Sequence, residues 1–355
     1  MRRILILGGT GAMGKHLVEI LVEDKNNDVV VTSRKGRSGG DNLVYVKGDG
    51  HDPTFLAQIL KEKWDCIVDF MAYTTDEFAR RVDLLLAGTA RYIFLSSSRV
   101  YANSSEPLRE DSPRLVDSCK DAEYLKTDEY ALSKARQEDL LFANKRKNWT
   151  IIRPYITFSE QRLQLGEMEK EEWLFIALKR GVIPFSHDIA QKQTTLTYAR
   201  DVAKGMMRLM ERDDALGAVY HLTSGQAVTW EQVLATYVEV LERVLGKEIE
   251  VLWTERSLRF KRGGMGIYQL VYDRLYDRKF CVEKFECCDK ENDAVLKRLA
   301  LCLEAFLADE TRSFRVGCWT NLARYDRENG GWQNILGIPG WKDKLRYLAY
   351  RLHLK

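Results

Sequence analysis

Through residue 155, short apolar runs alternate with longer stretches in which apolar side chains recur every three or four positions. That is the pattern of βαβ units around a parallel sheet. Arg3–Leu7 predicts a first strand, with a helix from about Met13 to Glu23 behind it. Val29–Thr32 reads as a second strand on its β-branched composition. Leu43–Val46, Cys66–Phe70, Tyr92–Leu95 and Thr150–Ile152 supply four more, with helices near Phe55–Lys63, Thr75–Leu86 and Thr127–Asn144. Six strands with intervening helices predict a Rossmann-type, doubly wound α/β sheet over 1–155, with further core elements from the C-terminal half.

After Arg153-Pro154 the rhythm loosens. Helical periodicity near Glu169–Lys179, Arg200–Met210 and Thr229–Leu245 alternates with short strands such as Tyr220–Leu222 and Ile249–Leu252. Residues 156–310 read as a smaller α/β substrate-binding lid, joined to the sheet without a Pro/Ser-rich linker. Residues 311–355 differ, with nine Lys/Arg against three Asp/Glu and three of the eight tryptophans. Trp341, Leu345, Leu348 and Leu352 recur at helical spacing, so Trp341–Leu354 predicts an amphipathic helix. Its apolar side is expected to pack on the lid. A helix with such a basic face also suits peripheral contact with a membrane or an acidic partner.

Composition narrows the classes. The 355 residues hold 55 Lys+Arg against 52 Asp+Glu, and 45% are hydrophobic. The chain is too apolar for intrinsic disorder. A net charge of +3 is too small for nucleic acid to be the expected partner. No pair among the five histidines has helical ligand spacing, and the seven cysteines include no C-x-x-C. Cys281, Cys287 and Cys288 lie close together but lack zinc-ligand spacing, so no metal site is predicted. Met1-Arg2-Arg3 imitates the start of a signal peptide, yet Ile4–Leu7 is too short an apolar run before Gly8-Gly9. No run approaches the roughly 20 apolar residues of a membrane span. These features read as a soluble cytoplasmic protein with reduced thiols.

Gly8-Gly9-Thr10-Gly11-Ala12-Met13-Gly14 stands between the first strand and its helix. Glycine allows the tight turn and the close approach of backbone to a pyrophosphate at the helix N-terminus, and Gly14 allows close helix–strand packing. The end of the second strand selects the cofactor. A carboxylate there would hold the ribose 2′-hydroxyl of NAD(H), but the residues are Thr32-Ser33-Arg34-Lys35. A hydroxyl and a guanidinium suit a 2′-phosphate, which favours NADP(H) and leaves NAD(H) as the alternative. Asp49, in Gly48-Asp49-Gly50 after the third strand, is placed for the adenine amino group.

Tyr130-Ala131-Leu132-Ser133-Lys134 puts a phenol and an ammonium on one helix face. Hydride transfer at a carbinol carbon needs a proton moved at its oxygen. A phenol with pKa near ~10 becomes a better base beside an ammonium and a cationic nicotinamide. Lys134 can also hold the nicotinamide ribose. Ser96-Ser97-Ser98, ending the fifth strand, offers a hydroxyl to orient the substrate oxygen.

Gly8-x-x-Gly11-x-x-Gly14, Asp49, Ser97 in Ser-Ser-x-x-Val-Tyr, Tyr130-x-x-x-Lys134 and Arg153-Pro154 resemble the extended short-chain dehydrogenase/reductases. More narrowly, the chain is similar to the NAD-dependent epimerase/dehydratase group acting on nucleotide sugars. The resemblance covers residues 1–225 and fades after about 290. It implies Ser97, Tyr130 and Lys134 as catalytic residues, with Tyr130 the acid/base. It also implies a cofactor-binding rim at Phe70, Met71 and Ala72, and a strip along the nicotinamide at Pro154, Tyr155 and Ile156. A homodimer through the helices over Thr75–Leu86 and Thr127–Asn144 follows from the same resemblance.

Two positions depart from the group. The 4,6-dehydratases carry Asp-Glu after the catalytic threonine, where this chain has Ser98-Arg99. A hydroxyl and a cation cannot do that general acid/base work, so dehydration of that type is not expected and both residues read as substrate contacts. In the segment Gln193–Val202 a threonine replaces an arginine that grips the diphosphate in many relatives, leaving Arg274 or Arg278 for that task. The expected reaction is reduction of a 4-keto group or epimerisation at C4 of a nucleotide-activated sugar, with polysaccharide synthesis as its natural setting. The competing class is a non-catalytic relative of the same fold that binds RNA or a protein partner. Some plant chloroplast relatives resemble this chain around Thr195–Val202 and bind RNA.

Overall fold

The computed structural model describes residues 1–166, 168, 171–255, 275, 294–314 and 317–354. Six strands run in chain order: β1 Arg2–Leu7, β2 Asn27–Ser33, β3 Leu43–Lys47, β4 Trp64–Asp69, β5 Thr89–Leu95 and β6 Trp149–Arg153. A seventh, Ala218–His221, comes from the C-terminal half and pairs with β6, Tyr220 opposite Ile152. From that edge the order is Ala218–His221, β6, β5, β4, β1, β2, β3, and every neighbour is parallel. The chain reverses direction across the sheet between β1 and β4. In a doubly wound sheet that crevice, at the carboxyl ends of the strands, receives ligand.

Near-continuous apolar runs make these strands because both sheet faces are covered. Side chains alternate between the faces. Ile4 and Ile6 join Leu17, Leu21, Val29 and Met206 on one side, while Leu5 and Leu7 join Val30, Leu56, Phe78 and Phe94 on the other. Helix α1, Ala12–Glu23, buries Leu17, Val18, Ile20 and Leu21 against the first of these clusters, where the helix Ala199–Leu209 meets it.

Element bounds shift where a cap outweighs periodicity. The helix expected over Phe55–Lys63 is Pro53–Ile59, because Asp52 caps it through Thr54 N and Pro53 fits the first turn. The single helix expected over Thr75–Leu86 is two, Thr75–Ala79 and Val82–Ala87.

The chain divides into two compact units. One holds Met1–Ser159 and Gln193–Val228; the other holds Glu160–Lys192 and the described parts of 229–271 and 296–355. Thus Gln193–Val228, within the segment expected to be lid, belongs with the sheet. In the second unit the strands Val182–Ser186 and Glu250–Thr254 pair in parallel. The helix Trp230–Leu245 starts at a Thr229/Gln232 capping box and stops at Gly246, φ +64°. The C-terminal helix is Trp341–Arg351 and packs on the helix Gly317–Glu328. Its inner face is not the predicted one. Tyr347 is fully buried, its hydroxyl donating to Asp326 Oδ2 at 2.5 Å, whereas Trp341, Leu345 and Leu352 are exposed. Among the described residues, no helix is long and apolar enough to cross a membrane.

Candidate active site

The glycine segment forms a tight cradle at the end of β1. Gly8 has φ +70°, and a Cβ there would come within 2.9 Å of Met71 Sδ. A Cβ on Gly9 would lie 2.5 Å from Ile6, and one on Gly14 2.7 Å from the Gly9 backbone, so α1 starts hard against the loop. Gly11, the N-cap of α1, faces open space. No side chain caps α1 and no carboxylate stands in its first turn. The unsatisfied N–H groups of that turn, with Thr10 and Gly11 exposed above them and Ala12 and Met13 half-buried, fit a pyrophosphate. Thr32 fixes the loop from β2, its Oγ1 accepting from Gly8 N at 3.1 Å. Sequence reasoning had not singled out Thr32.

The adenine side is assembled from three strand ends. Ser33 is buried and its Oγ accepts from Lys35 N at 3.3 Å, while Arg34 is exposed. Asp49 turns the chain after β3, its Oδ1 accepting from His51 N at 3.0 Å. A Cβ on Gly50 would stand 3.0 Å from Met71 Cε, so Met71 bridges Gly8 and Gly50. Phe70 and Ala72 flank it after β4. Ser33, Asp49, Gly50, Phe70, Met71 and Ala72 thus stand at or just after the ends of β2, β3 and β4.

Lys134 sits on the helix Tyr130–Ala143, buried to 2% exposure. Its Nζ donates to Leu95 O at 2.8 Å and Met71 O at 3.3 Å. An ammonium has three donors, so one remains. Burial pushes its pKa down to about 8, with Asp69 and then Glu138 acting in the opposite direction. Asp69 itself is buried, accepts from Met71 N and from Tyr92 Oη, and burial raises its pKa.

Leu95, which anchors Lys134, lies two residues before Ser97. Ser97 caps a short 3-10 turn, its Oγ accepting from Arg99 N at 3.2 Å. Tyr130 opens its helix one turn before Lys134 and is 40% exposed. The Arg99 guanidinium lies 5.3 Å from the centre of its ring. Ser97 is therefore bracketed in the chain by residues that touch the Tyr130 helix.

Ser98 and Arg99, expected as substrate contacts, both make bonds within the fold, and only Ser98 is too buried for that role. Ser98 is fully buried, its Oγ donating to Arg153 O at 2.9 Å and its N–H to Pro154 O at 2.9 Å. It fastens the serine turn to the end of β6. Arg99 pairs with Glu129 at 2.6 Å, and Glu129 in turn caps the helix through Ala131 N. Pro154 and Ile156 follow β6, and the Ile156 carbonyl accepts from Thr197 N. Arg274 and Arg278 lie outside the described residues.

Beneath the turn is a buried polar network. Glu138 accepts from Ser96 Oγ at 2.6 Å and from Arg153 Nε and Nη2 at 2.8 and 2.7 Å. Arg153 Nη1 donates to Tyr101 Oη at 2.5 Å, and Tyr101 Oη meets His221 Nε2 at 2.5 Å. Burial opposes the charge on Arg153, but Glu138 outweighs it and the guanidinium pKa is raised. Burial and the Arg153 cation hold His221 down to about 3, hence neutral. The signal available in sequence was a carboxylate at position 138, four residues past Lys134 on the same buried face.

Residues 8–173 match the family model of NAD(P)H-binding domains. The chain is 26% identical over 247 residues to the chloroplast stem-loop binding protein of 41 kDa b from Arabidopsis thaliana, spanning 65% of this chain and 61% of that protein. In structure it is similar to the UDP-N-acetylglucosamine 4-epimerase from Methanobrevibacter ruminantium M1, solved with UDP-N-acetylmuramic acid. The TM-score is 0.65 at 19% identity, covering 86% of this chain and 98% of that one. The dTDP-glucose 4,6-dehydratase from Bacillus anthracis str. Ames, solved with NAD, gives 0.62 at 16% identity, covering 86% and 97%. The fold expected from the motifs is thereby borne out.

Proposed function

We infer that this chain, an NAD(P)H-binding domain on the extended short-chain dehydrogenase/reductase fold, is an oxidoreductase or epimerase acting at C4 of a nucleotide-activated sugar. The observation that carries the reading is Lys134. A long cation is buried beneath the strand-end serine turn, anchored by two carbonyls and holding one donor in reserve. Such burial is costly and has little structural return unless that ammonium serves a reaction.

A bound nicotinamide supplies or accepts the hydride. The chain's own residues do the rest. The N-terminus of α1 and the Gly8–Gly14 cradle hold the pyrophosphate, and Asp49 and Ser33 hold the adenosine end. Arg34 takes a 2′-phosphate, which makes NADP(H) the preferred form. Lys134 holds the ribose hydroxyls and favours the phenolate of Tyr130. Tyr130 Oη moves the proton at the substrate oxygen, and Ser97 Oγ orients that oxygen. The working form is a homodimer.

Dehydration by an adjacent acid pair is disfavoured. Ser98 has committed its hydroxyl to Arg153 O and Arg99 its guanidinium to Glu129. Reduction and epimerisation use the same side chains, and NADP(H) preference supports reduction. The likeness to a stem-loop binding protein supports a second reading, RNA binding without catalysis. The presence of Ser97, Tyr130 and Lys134 at the sequence spacing of the resemblance argues against it.

Tyr130→Phe separates the two. It should lower turnover of a 4-keto or 4-hydroxy nucleotide sugar by at least about 100-fold, the usual scale of general acid–base catalysis, with dinucleotide affinity intact. Unchanged turnover would remove Tyr130 from the chemistry. Stem-loop RNA binding with no turnover by the parent protein would favour the second reading.

A further inference from the structure

The C-terminal helix leaves unburied the stripe that its sequence makes most apolar. Tyr347 faces inward, its hydroxyl held by Asp326 and also accepting from Gln333 N at 2.7 Å. Tyr350 lies on the same side, its ring 4.7 Å from the Arg324 guanidinium and its carbonyl accepting from Arg327. At about 100° per residue, Trp341, Leu345, Leu348 and Leu352 fall within about 60° of one another on the other side. Trp341 is 66% exposed, Leu345 55% and Leu352 49%; Leu336, in the preceding loop, is 85% exposed. Leu348 between them is half-buried, and a stripe kept over about three turns is too regular for scattered surface apolars.

Charge identifies what covers it. Residues 331–355 carry Lys342, Lys344, Arg346, Arg351 and Lys355 against a single carboxylate, Asp343. That carboxylate is neutralised by Arg346 at 2.8 Å. Lys342 and Lys344 flank the stripe on its two sides at helical spacing. A two-fold contact with a second copy would set these lysines against their own equivalents with no free anion between them. An apolar stripe bordered by lysines, with an indole at one end, instead matches a helix lying in the plane of a negatively charged lipid surface.

We propose that the outer face of Trp341–Arg351, with Leu336, is a docking surface for an anionic phospholipid bilayer. Trp341, Leu345 and Leu352 enter the headgroup boundary, and Lys342 and Lys344 meet lipid phosphates. The proposal is independent of the reaction assigned above, and its test reads no turnover.

Full-length protein is sedimented with phosphatidylcholine vesicles, with and without about one-third phosphatidylserine. Binding is expected only to the anionic vesicles, and it should weaken at about 0.5 M salt. Reversing Lys342 and Lys344 (K342E/K344E) should lower the partition coefficient by about 25-fold or more, at about fivefold per lysine removed from the surface. Leu345→Ser together with Trp341→Ala should lower it to background. All four side chains are at the surface, so circular dichroism should show an unchanged fold. Absence of binding to anionic vesicles at low salt overturns the proposal. So does a dimer, seen by light scattering, that Leu345→Ser dissociates, since the stripe would then cover a second copy.

Discussion

Replacing Lys134 with Met removes the buried ammonium while keeping the length of the side chain. Burial lowers the pKa of Lys134 from 10.5 to about 8. The folded pKa is depressed, so between pH 8 and 10.5 the unfolded chain holds a proton that the folded chain has lost. Stability therefore rises with pH through that window. At 1.36 kcal/mol per pKa unit, Lys134 costs about 3 kcal/mol at pH 7, of which about 2 kcal/mol is relieved by pH 9.5. Urea unfolding of both proteins without dinucleotide, at half-unit steps of pH, measures this. Subtracting the Lys134→Met curve cancels the titrating groups that Lys134 does not perturb. The difference should tilt towards the parent protein by about 2 kcal/mol between pH 7 and 9.5. The two carbonyls left unpaired in the variant shift the whole difference but not its slope. A flat difference would mean that Lys134 is solvated in solution, and the reasoning about its role would fail.

Glu138 and Arg153 offer a second stability test. Glu138→Ala leaves a guanidinium uncompensated in the core and should cost about 3–5 kcal/mol in urea, while the pair Glu138→Leu with Arg153→Met should recover much of it; a loss below about 1 kcal/mol would show the network to be hydrated. Arg34→Ala should weaken NADP+ by about 10- to 100-fold, the scale of hydrogen bonds to a charged group, and leave NAD+ unchanged in calorimetric titration. An equal effect on both dinucleotides would place Arg34 outside the 2′ site.

The sheet and the glycine cradle were legible because both depend on local signals. Ile4–Leu7 and Val29–Val31 alternate between two covered faces. Gly8 and Gly14 occupy positions that a Cβ would block. The Tyr130/Lys134 pair was legible as helical spacing. The network under the serine turn was not, since Glu138, Arg153, Tyr101 and His221 come from four distant segments and meet only when the sheet is closed. Ser98 was misread for the same reason, because its partner is the carbonyl of Arg153. In the C-terminal helix the periodicity located the element but chose the wrong inner face. Two stripes compete there, and the hydrogen bond from Tyr347 to buried Asp326 decides between them.

A nicotinamide dinucleotide held for chemistry at Tyr130 is what every role proposed for these residues depends on. The most direct measurement is calorimetric titration of the purified protein with NADP+ and NAD+, alongside a denatured aliquot assayed for released dinucleotide. Saturable binding of one dinucleotide per chain is expected, tighter for NADP+, with none carried through purification. Retained NAD would turn the assignment towards an epimerase and make Arg34 a surface residue. No binding of either form, with none released on denaturation, would rule out dinucleotide chemistry at Tyr130.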